Sequence, residues 1–127
     1  MSFMNYYVGD FKTDAREGGK RGWIVGSFME EGTPQKTDKM EVKYWEFEEG
    51  IPDHPTKISS TFEVCFILSG ELEGQIDGQP LKLIAGQYVV IPPGISNNTV
   101  EKVLKRATGI TIKTPSDPRA KKVISGV

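Results

Sequence analysis

The sequence predicts an all-β fold, a closed or double-sheet barrel of roughly eight or nine short antiparallel strands. Three observations predict it. Short runs of β-prone apolar residues recur at regular spacing, and the 14 Gly and 8 Pro are concentrated between them, as turns require. No stretch carries a convincing helical period. Residues 63–94 read as strand, turn, strand, hairpin, strand, turn and strand with almost nothing left over. Asp77-Gly78 marks the hairpin, because glycine tolerates the positive φ of a tight turn. An open sheet of this size would leave long unpaired edges, so closure is the expected solution.

The 127 residues suit one domain with its own core. The barrel is expected over about residues 22–113, with residues 1–21 and 114–127 as flanking arms. Sixteen Lys+Arg against 17 Asp+Glu leave a formal net charge of −1, which argues against nucleic-acid or membrane-surface partners. No apolar run approaches the roughly 20 residues of a membrane span. No basic segment followed by an apolar stretch opens the chain, so no signal peptide is apparent. The single Cys65 excludes an intrachain disulfide and agrees with a reducing, cytoplasmic setting.

Each element follows from local pattern. Residues 5–8 suggest a short strand, and the polar, glycine-containing residues 12–21 a loop. Residues 22–29 (GWIVGSFM) are apolar and β-prone, and 30–39 are a turn-rich loop. Residues 41–48 (EVKYWEFE) form a strand with mixed faces, so its inward face is not decided by period. Two prolines interrupt residues 50–55. Residues 61–68 (TFEVCFIL) place Phe62, Val64, Phe66 and Leu68 on one face and Glu63, Cys65 and Ile67 on the other. Both faces are apolar except at Glu63, where a carboxylate needs a partner or a wet cavity. Ser69-Gly70 turns the chain into an alternating strand at 71–77; 81–84, 87–91 and 106–113 supply the remaining strands. Residues 114–127 read as a basic, proline-bearing arm on the surface or on a partner.

Two spacings carry a resemblance. Glu63 is followed by six residues and Gly70, and Gly86 by five residues and Pro92-Pro93-Gly94. In both, and in the hairpin between them, the chain resembles the cupin superfamily over about residues 41–113. The resemblance implies a jelly-roll barrel, also described as a double-stranded β-helix, which in many relatives holds a divalent metal on three histidines and a glutamate. Here the histidines are missing. Counting back four residues from Glu63, the first-motif positions hold Thr56 and Ile58; counting back three, they hold Lys57 and Ser59. The second-motif positions hold Asn97 and Glu101. Only Glu63 survives of the implied ligand set.

The expectation is therefore no metal and no other cofactor. His54, the only histidine, stands just before the first motif and reaches Glu63 only if the 52–55 loop swings inward; weak divalent binding at His54 and Glu63 stays open. Glu63 is the candidate acid/base, with an apolar wall raising its pKa, or else a remnant carboxylate bonded to Asn97 or water. Asn97 suits a ligand hydroxyl or amide. Lys43, Trp45 and Tyr88 are candidates for the cavity mouth. Arg106 faces either Glu63 and an anionic ligand or an external carboxylate. Cys65 shares the inward face of Glu63 but has no evident activating base, so it reads as packing. The leading expectation is a metal-independent barrel that binds a small polar molecule, a sugar or an organic acid. The alternatives are a cofactor-free isomerase, epimerase or lyase using Glu63, and a filled barrel acting as an interaction module. The second apolar face of residues 62–68 needs a cover, and a homodimer is expected.

Overall fold

The structure is a computed structural model that describes residues 6–16 and 21–124. The sequence expectations for residues 5, 17–20 and 125–127 lie outside the described residues. One short helix, α1 (Phe11–Arg16), precedes eight strands: β1 (Trp23–Val25), β2 (Glu41–Phe47), β3 (Lys57–Ser59), β4 (Phe62–Ile76), β5 (Gln79–Ile84), β6 (Tyr88–Ile91), β7 (Asn97–Thr114) and β8 (Lys121–Val123).

The frame is an antiparallel ribbon of the two long strands. β4 pairs with β7 from Phe62↔Thr114 to Ile76↔Asn97. The ribbon takes part in two layers. In the first, the order is β1-β2-β7-β4-β6; in the second it is β5-β4-β7-β3-β8. Trp45, Cys65 and Ile67 from the first layer pack with Leu72, Leu83, Val100 and Val103 from the second in one buried cluster. This is the expected jelly-roll barrel.

Several boundaries differ from the sequence reading, each for a local reason. Ser69-Gly70 does not turn the chain. It forms an irregularity inside a continuous 15-residue β4, where the register with β7 shifts. Gly70 has φ +88°, and an added Cβ would stand 2.2 Å from the Arg106 carbonyl oxygen, so only glycine fits there. β7 begins at Asn97, well before residue 106, because register shifts break the two-residue alternation in its first half. β3 and β8 are only three residues each and pair with one another, a contact no local pattern announces. The tail, expected as an arm on the surface or on a partner, thus adds a strand to the sheet. Residues 6–8 are not strand, and α1 stands in the expected loop. Asp10 starts α1 by accepting hydrogen bonds from the Lys12 and Thr13 amides at 3.1 and 3.0 Å. Phe11 then covers Tyr44 on the outer face of β2, ring centroids 4.5 Å apart.

Candidate functional site

The strand registers bring chemistry-bearing side chains into rows on the inner face of the first layer. Glu41, Lys113 and Glu63 are neighbours across β2, β7 and β4. The next inward row is Lys43, Thr111 and Cys65, and the next Trp45, Gly109 and Ile67. Gly109 has no side chain because Trp45 needs the space; a Cβ there would lie 2.1 Å from the indole Cζ2. The indole N–H donates to Thr111 Oγ1 at 3.0 Å. Lys57 from β3, Lys121 from β8, Thr99 and Val100 from β7, and His54 and Pro55 from the preceding loop complete the walls. They enclose a cavity of about 240 Å³.

Glu63 is the electrostatic centre. It is only 5% exposed. Lys57 Nζ donates to its Oε1 at 2.7 Å, and Lys113 Nζ lies 3.7 Å from the same oxygen. All three side chains are largely buried, so the carboxylate is held by a short, desolvated ion pair. Where an apolar wall was expected around Glu63, two ammonium groups face its carboxylate. Nor is it bonded to Asn97.

Charge in the cavity is unbalanced. Lys43, Lys57, Lys113 and Lys121 line it against Glu41 and Glu63. Burial pushes the Lys113 amine down to about 8; the Lys57 ammonium adds to this and Glu63 opposes it. Burial, with Lys121 and Arg21, also lowers the Lys43 pKa. Its Nζ rests 4.9 Å from the Trp23 ring centroid, a cation–π contact. Among the described residues, no carboxylate forms an ion pair with Lys43 or Lys121.

His54 does line the cavity. Its Nδ1 stands 2.7 Å from Asn98 Oδ1, which also accepts the Val100 amide at 3.0 Å, while Asn98 Nδ2 donates to the His54 carbonyl at 2.8 Å. That network makes Oδ1 an acceptor and places the neutral imidazole's proton on Nδ1. Burial pulls the His54 pKa below its usual value. The Cys65 thiol is pushed up to about 11, chiefly by burial, and accepts a hydrogen bond from Thr111 Oγ1 at 3.6 Å; it is a packing group.

Of the residues singled out in the sequence, Lys43, Trp45, His54 and Glu63 meet in the cavity. Three do not. Tyr88 is 65% exposed on the outer face of β6, beside Phe66, because the β4–β6 register puts its neighbours Val89 and Ile91 inside. Arg106 donates to Glu48 at 2.9 Å and Glu46 at 3.0 Å on the outside of the barrel. Asn97 is buried but turns its amide back to the Ile95 carbonyl at 3.1 Å; Asn98, one residue on, makes the contact with His54. Sequence reasoning missed Lys57, Lys113, Lys121 and Glu41. One signal was available: a buried Glu63 demands a cation, and Lys57 occupies a counted first-motif position.

The metal that the fold family implies does not fit this donor set. Among the described residues no three His, Cys, Asp or Glu side chains are grouped so that they could hold a metal ion. The one surviving carboxylate already binds two ammonium groups, and these would repel a divalent cation. Lys57 supplies the positive charge at Glu63 in place of a metal.

Among curated proteins, no sequence matches the chain. Similar solved structures share the fold at low identity. A conserved double-stranded β-helix protein from Klebsiella pneumoniae is 16% identical, with TM-score 0.61, 72% of this chain covered and 78% of that one. An RmlC-like cupin from Shewanella frigidimarina is 17% identical, with TM-score 0.58, covering 65% and 71%. The DMSP lyase DddQ from Ruegeria pomeroyi is 18% identical, with TM-score 0.59; 98% of this chain aligns with 59% of that one. The family model for the EutQ-like cupin domain matches residues 34–110. With the jelly-roll frame and the retained Glu63 position, that match establishes that the chain belongs to the EutQ-like cupin domain family.

Proposed function

We propose that this chain binds a small organic anion, a carboxylate, inside the barrel cavity and uses lysines in place of a metal. The carrying observation is the charge imbalance: four lysines and two glutamates line the cavity, and Glu63 is already satisfied by Lys57 and Lys113. Lys43 and Lys121 are left to receive an incoming anion. The lowered pKa values of Lys43, His54 and Lys113 support the reading, since the charge of an anion offsets the desolvation and mutual repulsion that lower them. A sugar is less well served, because most of the polar groups are cationic donors and few are acceptors. A filled barrel does not agree with a cavity of about 240 Å³. Glu63 as a free acid/base does not agree with its ion pairs.

The test is a thermal-shift panel of propionate, malonate, neutral sugars and divalent metal salts. Propionate or malonate at 100 times its dissociation constant is expected to stabilise the protein by about 2.7 kcal/mol. Lys43→Met is expected to weaken that binding about tenfold. Stabilisation by sugars alone, or near-stoichiometric metal in protein purified without metal-affinity resin, would overturn the reading.

The partner we propose is a second copy of the chain, on the outer face of β4 and β6. Phe62, Phe66 and Leu68 of β4 and Tyr88 and Val90 of β6 are all more than a third exposed there. In register they form one uncharged patch, flanked by the open edge of β6, which pairs only with β4. A charge-free apolar face suits a self-complementary interface. Light scattering is expected to report twice the 14.1 kDa chain mass; a particle of chain mass at working concentration contradicts it.

A further inference from the structure

We propose that Lys113 is an imine-forming nucleophile, and that the anion it meets is an oxo acid whose carbonyl carbon bonds to Lys113 Nζ while its carboxylate lies against Lys43 and Lys121. The inference rests on the anion-binding reading above and adds a covalent step to it.

The geometry is that of a surplus ammonium. Lys57 and Lys113 both address Glu63 Oε1, at 2.7 and 3.7 Å, and Lys57 makes the short bond. Lys113 therefore has a weak hold on the carboxylate and a like charge beside it. The other charged groups lining the adjoining cavity with it are Glu41 on β2, Lys121 on β8 and Asp117 in the loop before β8, and Asp117 stands 4.0 Å from Arg119. Glu41 is engaged elsewhere, accepting from the Ser116 hydroxyl at 3.1 Å. The Lys113 side chain is only 18% exposed, yet it lines both the main cavity and the adjoining one under Trp23 and Phe28, so a ligand reaches it from inside. Lys43 is its diagonal neighbour across the β2–β7 pair, a spacing within reach of one small molecule.

Such an environment favours the neutral amine, as in lysines that form Schiff bases. With a pKa of about 8 against the ordinary 10.5, the neutral fraction at pH 7 is roughly 300-fold larger. The lone pair of Lys113 Nζ attacks the carbonyl carbon and forms the C–N bond. The carbonyl π electrons move to oxygen, which takes a proton. The attacking nitrogen then gives up one proton, the new hydroxyl takes a second and leaves as water, and the nitrogen lone pair so freed closes the C=N bond. In balance, one ammonium and one carbonyl give one iminium and one water, with no oxidant or reductant. Lys57, which shares Glu63 Oε1 with Lys113, stands beside it to give and take back the protons.

The test uses the intact wild-type chain, pyruvate as probe and cyanoborohydride to trap the imine, followed by peptide mapping. The expected result is one adduct per chain at Lys113, favoured at least about tenfold over the exposed lysines, with a labelling rate that rises to half-maximum near pH 8. No adduct, or adducts spread over surface lysines without preference for Lys113, overturns the proposal. Lys57→Met is expected to slow labelling at Lys113 and raise its pH midpoint, because the like charge is gone; an unchanged profile also counts against it. Propionate has no ketone or aldehyde carbonyl. Stabilisation by propionate without a pyruvate adduct removes the imine and leaves anion binding standing. A Lys113 adduct with propanal, without stabilisation by any carboxylate, keeps the nucleophile and removes the anion reading.

Discussion

The two faces of the first half of β4 are opposites. Inside, Glu63, Cys65 and Ile67 are 5%, 2% and 2% exposed. Outside, Phe62, Phe66 and Leu68 are 41%, 38% and 47% exposed. The charge is buried and the large apolar groups face solvent, the reverse of the usual distribution. The inner charge is tolerated because Lys57 and Lys113 neutralise it at hydrogen-bonding and near-contact distances. Among the described residues, nothing covers the outer apolar row in the same way. In the reading proposed above, each departure is a contact made with something else: an anion inside, a second copy outside.

The comparison breaks first at Lys57. Lys57→Met leaves the buried carboxylate with only the longer Lys113 contact, and unfolding free energy is expected to fall by about 3 kcal/mol in urea titration. A loss below about 1 kcal/mol would mean that the pair is as weakly coupled as a surface one. Next is the outer face. Phe66→Glu is expected to weaken self-association about 100-fold by light scattering, because it buries an unpaired charge, while carboxylate affinity stays within about twofold. A monomeric wild type, or lost anion binding in the variant, would show the faces are not separable as described. Arg106→Met removes ion pairs to Glu46 and Glu48 that stand outside in solvent, with 41% of the arginine side chain exposed. Its cost in the same titration should be well below that of Lys57→Met, because solvent screens the exposed pairs.

The smallest effect concerns His54, whose single ring gives one resonance to follow by NMR. Its midpoint is expected below the ordinary 6.5, since burial disfavours the imidazolium. The folded state then binds fewer protons than the unfolded one between that lowered midpoint and 6.5. Stability from this group is complete above 6.5 and is lost as pH falls through the window. Added propionate should move the midpoint up. A midpoint at or above 6.5 without ligand contradicts a desolvated, cation-rich cavity.

Much of the frame was legible because it depends on residues that act locally. Asp77-Gly78 requires a tight turn, and residues 61–68 alternate cleanly enough to assign both faces. The first half of β7 was not legible, since its bulges break the alternation that identifies a strand. Six residues of α1 are too few to show a period, and its start rests on one Asp10 cap. In the site, Glu63 stood out as a charge on an apolar face, while Lys43 and Trp45 were placed near it with no way to tell inside from outside. Tyr88 and Arg106 had the chemistry for a cavity, but the register of β6 and the exterior carboxylates of β2 turned them outward.

The sequence by itself determined the all-β barrel, the cupin motif spacing, the missing histidines and the need of Glu63 for a partner. Those follow from backbone-shaping residues and from the energetic penalty of one buried charge. Only the tertiary structure decided the identity of that partner. Lys57 lies far from Lys113 and Lys121 in the chain, and Lys121 comes from a tail that no pattern tied to the barrel. Their meeting depends on which strands pair and in which register, a long-range property that local spacing does not carry. What looked like a stripped metal site is, in three dimensions, a glutamate held by ammonium groups in a cavity with positive charge to spare.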